Sequence, residues 1–186
     1  MKITTEWLDE KSACEDGKRW FNAQTETDAV KILEKLIAAD KLAWANWTIC
    51  QLFTRKQQIQ YAAFAAEQVI DIFEKEYPAD TRPREAIETA KKYLNYPTQE
   101  NRDAAVNAAT NAVNAASDAT YAAYAAANVA NADTDAHSVN AAINAYVAYA
   151  AANADTATYA TKNAIKIKIL KYGIELLRQA KAEGRK

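Results

Sequence analysis

The chain encodes an all-α, multi-helix bundle. Segment after segment places apolar residues at spacings of three and four, the period of a helix face. Its 186 residues hold only three glycines and three prolines, and each proline falls where a helix ends or begins. Between Arg102 and Lys162 there is no Lys, Arg, Glu or Leu, only a run dominated by Ala, Asn, Asp, Thr, Val and Tyr. An ordinary surface helix carries Lys and Glu outside and Leu inside. Here Ala does the packing and Asn supplies the polarity, so close-packed helical hairpins with uncharged amide faces are expected in the C-terminal half.

From the N-terminus, Thr4 or Thr5 caps a first turn carrying Trp7 and Leu8. Ser12-Ala13-Cys14-Glu15 has capping-box spacing, with Ser12 at the cap and Glu15 reaching back. The helix after it carries Cys14, Trp20 and Phe21. Thr27 caps the next, which turns Val30, Leu33, Leu36 and Ile37 to one side. Leu42, Trp44, Trp47, Ile49, Leu52 and Phe53 make a dense apolar segment. All four tryptophans precede residue 48. Residues 1–54 are therefore expected to form an aromatic-rich helical subdomain with its own core, and 55–186 a bundle with Ala/Asn-rich core helices.

The spacing of Ile59, Ala62, Ala63, Ala66, Val69, Ile70 and Phe73 predicts one long helix over 55–76, ended by Tyr77-Pro78. Pro83 suits a first helical turn because its missing N–H is not needed there. The helix it opens closes at Asn95-Tyr96-Pro97, and Thr98 caps the Ala-rich run. In that run Ala105, Ala109, Ala112, Ala116, Ala119, Ala123, Ala126 and Ala130 repeat at four and three, a heptad seam of methyl groups. Asn107, Asn111, Asn114, Asp118, Tyr121, Ala125 and Asn128 form a second stripe. Asn is a poor helix former, so the stripe is either solvated or lines a groove. Tyr121–Asn128 returns as Tyr146–Asn153, and Asn131-Ala132-Asp133-Thr134 as Asn153-Ala154-Asp155-Thr156. Reading the Asp-Thr pairs as caps divides the run into three helices. An amphipathic helix with Ile165, Ile169, Tyr172, Leu176 and Leu177 closes the chain at Gly184.

Formal net charge is −1, unevenly spread. The stretch from Lys162 onward is basic, which suits the C-terminal end of a helix dipole and its solvent face better than nucleic acid or a membrane. Cys14 and Cys50 have no metal-ligand spacing and read as reduced thiols. With no signal peptide and no apolar run of membrane-spanning length, the expected location is the cytoplasm. Neither a nucleic acid nor a membrane is expected as partner, and no cofactor or metal.

Catalytic signatures are missing: there is no nucleophile elbow, phosphate-cradling glycine loop or Cys/His metal motif. The single histidine, His137, lies beside Asp133 and Asp135, as a capping cluster or as a metal site or acid–base pair. Asp80-Thr81-Arg82-Pro83-Arg84-Glu85 marks a helix N-terminus. There Arg82 and Arg84 either hold a phosphate or carboxylate or pair with Asp80, Glu85 or Glu88 and fix the turn. Trp44 and Trp47 either stack on a ring or belong to the core. Candidate ligand or partner contacts are thus Arg82, Arg84, Trp44, Trp47, Asn107, Asn111, Asn114, Tyr121, Tyr124, His137, Tyr146 and Tyr149.

Several stretches carry a family resemblance. Trp44-Ala45-Asn46-Trp47, Gln60-Tyr61-Ala62-Ala63-Phe64-Ala65-Ala66 and the run from Tyr77-Pro78-Ala79-Asp80-Thr81-Arg82-Pro83-Arg84 through Ala90 resemble an immunity-protein family associated with bacterial polymorphic toxins, also found among phage proteins. Ala13-Cys14-Glu15-Asp16-Gly17-Lys18-Arg19-Trp20-Phe21 and Tyr159-Ala160-Thr161-Lys162-Asn163-Ala164 are similar to its leader and its C-terminal half. Asp-x-Arg-Pro-Arg-x-Ala-Ile is the most specific part. The resemblance implies an all-helical, non-enzymatic protein that neutralises a target by binding it. It departs in one respect, carrying Asn where such proteins usually intersperse Arg among the alanines.

Two functions are weighed on these grounds. One is a binding inhibitor of toxin-immunity or phage counter-defence type, its partner a protein toxin or defence component. The other is a sequestering protein that holds an anionic nucleotide-like molecule between helices. A methyl seam can pair helices within one chain or between two, so a homo-oligomer is compatible with either.

Overall fold

The computed structural model describes residues 1–68, 70–115 and 159–184. Among these the regular elements are all helices: α1 (Thr5–Glu10), α2 (Glu15–Asn22), α3 (Ala29–Ala38), α4 (Leu42–Leu52), α5 (Arg55–Glu67), α6 (Ile70–Glu76), α7 (Arg82–Asn95), α8 (Gln99–Ala115) and α9 (Tyr159–Ala182). The all-α expectation holds. The methyl seam from Ala116 onward, the tyrosine repeat and the Asp-Thr breaks lie outside the described residues.

Two compact units divide the chain, one of Met1–Leu52 with Leu170–Lys186 and one of Phe53–Ile169. The first is built from short helices whose ends are set locally. Thr4 caps α1, its Oγ1 accepting from the N–H of Trp7 at 3.2 Å. Ser12 does not cap α2. It sits at φ 55° just past α1, where its N–H and that of Ala13 donate to the carbonyls of Asp9 and Leu8. A residue spent on ending one helix in the left-handed region lacks the extended backbone an N-cap needs. Cys14 takes the cap instead, Sγ accepting from Gly17 N–H at 3.4 Å.

Thr27 is displaced in a similar way. Its carbonyl accepts from Ile3 N–H at 2.8 Å and Ala29 N–H donates to Met1 at 3.2 Å, an isolated antiparallel bridge between Lys2 and Asp28. That leaves Asp28 to cap α3 by accepting from Val30 and Lys31. Ile3, Leu8, Phe21, Ile32, Leu33, Leu36, Ala45 and Ile49 are buried in this unit, as are Leu170, Ile174, Leu176 and Leu177 of α9.

The second unit relies on small side chains. Thr54 and Gln57 form a capping box at the start of α5. The long helix expected over 55–76 is two helices, because α5 ends at Gln68. There the backbone N–H turns to Ala65 at 3.2 Å while the side-chain amide takes the Phe64 carbonyl at 2.9 Å. With the i−4 carbonyl occupied by its own side chain, the last turn tightens to i→i−3 bonding. Helix α7 packs on both α5 and α8. Ala62, Ala63, Ala65 and Ala66 of α5 are buried, and so are Ala86 and Ala90 of α7 and Ala105 of α8. Phe53 meets the buried Tyr61 edge-on, ring centroids 5.3 Å apart, a geometry aromatic quadrupoles favour.

Candidate functional site

Two places in the described structure concentrate the residues singled out from sequence, one in each unit. In the first unit, the rings of Trp20, Trp44 and Trp47 line a cavity of about 260 Å³ together with Cys14, Gly17 and Phe21. The three tryptophans are half-buried. Trp47 is steadied by Trp7, edge-to-face with centroids 6.1 Å apart. Trp44 is steadied by Lys41, whose Nζ lies 4.3 Å from the ring centroid, a cation–π contact. The Thr48 hydroxyl donates to the Trp44 carbonyl at 2.8 Å, which satisfies a polar group at the wall. No lining residue carries a charge.

Gly17 stands against the cap of α2. A Cβ there would stand 3.3 Å from the Cys14 sulfur, so the cap and the cavity wall are in contact at that point. The two cysteines behave differently. Cys14 is exposed at the rim and Cys50 is buried, its thiol pushed up to about 12 by burial.

In the second unit, α6, the following turn and the start of α7 form a ridge of paired charges. Arg82 grips Asp80 through two bonds, Nε to Oδ1 at 2.8 Å and Nη2 to Oδ2 at 2.7 Å. Arg84 pairs with Glu74 through Nε and through Nη2, the latter at 2.6 Å, and reaches Asp71 at 3.5 Å. Lys91 pairs with Glu67 and, at 3.4 Å, with Glu88. The Arg82 guanidinium holds the Asp80 carboxyl below its ordinary range, and Arg84 does the same to Glu74. Hydrogen bonding to Glu67 raises the Lys91 ammonium. Bidentate guanidinium–carboxylate pairs have fixed geometry, so the ridge presents its charges in a set order. An anion binding here would have to displace Asp80 and Glu74. Beside the ridge, Tyr77, Pro78, Ala79, Asp80, Thr81 and Arg82 line an open depression of about 530 Å³.

Asn107 and Asn111 of α8 are exposed. Asn114 lies in the same helix. Tyr121, Tyr124, His137, Tyr146 and Tyr149 lie outside the described residues. The structure therefore brings Trp44 and Trp47 to one cavity and Arg82 and Arg84 to one ridge. Two further sets of residues are not among the contact candidates read from sequence. Cys14, Gly17 and Trp20 join the tryptophan cavity; their spacing of three places them on one helix face and was the available signal. Asp71 and Glu74 partner Arg84 across a turn, a pairing that helix spacing does not encode.

Among the described residues, no group of three or more His, Cys, Asp or Glu stands close enough to hold a metal ion, and no helix is long and apolar enough to cross a membrane.

A family model, described as Imm-5 like putative immunity protein, matches residues 48–172, more than half of the chain. The ridge on α6 and α7 lies wholly inside that match; of the cavity residues only Thr48 does. No curated protein and no solved structure matches the chain.

Proposed function

Because the chain belongs to the Imm-5 like immunity protein family, we propose that it is an inhibitor that neutralises a protein toxin by binding it, without chemistry of its own. The family match over 48–172 is the observation that carries this. Phage counter-defence against a host component is the same act toward a different target. The ridge of α6 and α7 is the contact surface best suited to the task. Its guanidinium and carboxylate groups are already ordered by one another, so little side-chain entropy remains to be lost on docking. Arg is among the residues that dominate protein interfaces, and Arg82 and Arg84 both stand exposed here. Asn107 and Asn111 of α8 add uncharged donors and acceptors that a partner can meet without burying a charge.

Co-expression with a panel of bacterial polymorphic toxins, scored for growth and for a co-purifying complex, tests the proposal. Rescue of growth with a stoichiometric complex is expected, and Arg84→Glu should weaken both while leaving the helical fold intact. Rescue by sub-stoichiometric amounts of the chain, with no complex at any concentration, would mean turnover and would overturn it. So would failure to rescue against every such toxin.

A further inference from the structure

The tryptophan cavity is a concave cleft open at one end, where Ser12 and Cys14 are exposed. Ligand sites are typically concave and lined mostly by apolar and aromatic side chains. Here about 260 Å³ lies between α1, α2, α3 and α4, within one compact unit. A dry apolar cavity of roughly 150 Å³ is enough to hold one benzene ring, so this one has room for two fused rings. Its lining is mostly aromatic and aliphatic side chains, against which a flat ring stacks or meets edge-to-face. Its polar atoms are few, and two are already engaged: Thr48 Oγ1 donates to the Trp44 carbonyl and Cys14 Sγ accepts from Gly17 N–H. The lining side chains otherwise carry the indole N–H donors of Trp20, Trp44 and Trp47 and the Ser12 hydroxyl, which lies near the exposed Cys14. No lining residue offers a charged ligand a group of opposite sign, Lys41 being already engaged with the Trp44 ring, and an unpaired charge in apolar surroundings is costly.

We propose that this cavity is a binding site for a small, uncharged, bicyclic aromatic molecule of indole size, with at most one polar group directed at the Ser12–Cys14 rim. The site is separate from the family-matched segment, since every lining residue but Thr48 precedes residue 48. It is independent of the inhibitor function proposed above.

Cys14 provides a readout at the site itself, because it is exposed while Cys50 is buried. Calorimetry on the full chain with indole, tryptamine and indole-3-acetate as probes is paired with the rate at which a maleimide labels Cys14. Indole should bind, with both charged analogues at least about tenfold weaker, and saturating indole should slow Cys14 labelling about tenfold. Ala13→Trp, which fills the cavity from its wall, should abolish both effects. If that variant does not fold by circular dichroism, Trp44→Ala, which removes a wall, should weaken indole and restore labelling. Arg82→Ala, in the other unit, should change neither. Absence of indole binding overturns the proposal, as does binding that leaves Cys14 labelling unaltered. N-acetyl-tryptophanamide binding more tightly than indole would overturn it too, by pointing to the side chain of a protein partner instead.

Discussion

Arg178 meets Glu34, Nη2 to Oε1 at 2.6 Å, across 144 positions of the chain. The pair ties the last helix to α3 inside one compact unit, and Lys181 repeats the link by reaching Asp28, the α3 cap, at 3.3 Å. Both Arg178 and Glu34 are about half exposed, 48% each, so solvent screens most of their attraction. The stronger tie is Leu177, which is buried and borders the same depression as Ala29 and Val30. Arg178→Ala should therefore cost at most about 1 kcal/mol, whereas Leu177→Ala should cost about 2–5 kcal/mol. Urea denaturation of the two variants checks the order; equal losses would mean that the ion pairs, not the buried face, dock this helix.

Helices α5 and α7, which pack on each other, bury alanines. Ala65, Ala66 and Ala86 have no exposed surface and Ala90 has 1%. A Leu at such a position has nowhere to go without moving a helix, at about 1–3 kcal/mol. Ala86→Leu should lower the melting temperature, and Ala86→Ser, nearly isosteric, should lower it less. A Leu variant as stable as the parent would show that α7 is not held at methyl distance.

What could be read from the sequence follows the range of the interactions. Helix positions came from local periodicity, and Thr4, Thr98 and the Pro83 turn behave as their local chemistry dictates: Thr98 Oγ1 accepts from Asn101 N–H at 3.2 Å. The α3 cap stands one residue beyond Thr27, at Asp28, because the Lys2–Asp28 bridge, 26 positions apart, claims the Thr27 carbonyl. The α2 cap stands at Cys14 and not at Ser12 because Ser12 ends α1. Of the site, Trp44 and Trp47 were legible as ring-stacking candidates. Their convergence with Trp20 and Cys14 depends on tertiary packing, which a repeat of three and four does not specify. The same holds for Arg84, whose partner Glu74 lies ten positions away across a turn.

Ionisation of Glu74 and Asp80 couples the ridge to acid. Hydrogen bonds from Arg84 and Arg82 lower both carboxyls from ordinary values of 4.5 and 3.8. A carboxyl whose pKa falls on folding contributes stability that is complete above its unfolded value and lost as pH drops through its folded one. Wild type should therefore exceed Glu74→Gln and Asp80→Asn in stability at pH 7, each by less than about 1 kcal/mol because both arginines are exposed. The gap should close as pH is taken below 4. Denaturation curves at pH 7, 5 and 3 measure it; a gap that widens in acid would contradict the sign.

The thiols should separate cleanly in labelling. Thiolate is the reactive form, and burial pushes the Cys50 thiol up to about 12 while Cys14 is open to solvent. Native protein treated with a maleimide should gain one adduct, at Cys14, and a second only in denaturant. Two adducts under native conditions would mean that α4 opens far more readily than its burial implies.

Cys14 and Gly17 set opposing demands on the start of α2. Alanine is favoured over glycine within a helix by about 0.5–1 kcal/mol, yet the added Cβ would press on the Cys14 sulfur at 3.3 Å. Gly17→Ala alone should therefore gain little or lose slightly, since the cap must shift. Serine is a better cap than a thiol, which accepts hydrogen bonds weakly, and its oxygen is smaller than sulfur. Cys14→Ser should raise stability on its own, and in that background Gly17→Ala should recover its full helix gain of about 0.5–1 kcal/mol. A double-mutant cycle by thermal melt reads the coupling. Strict additivity would show that the glycine is not there to make room for the sulfur.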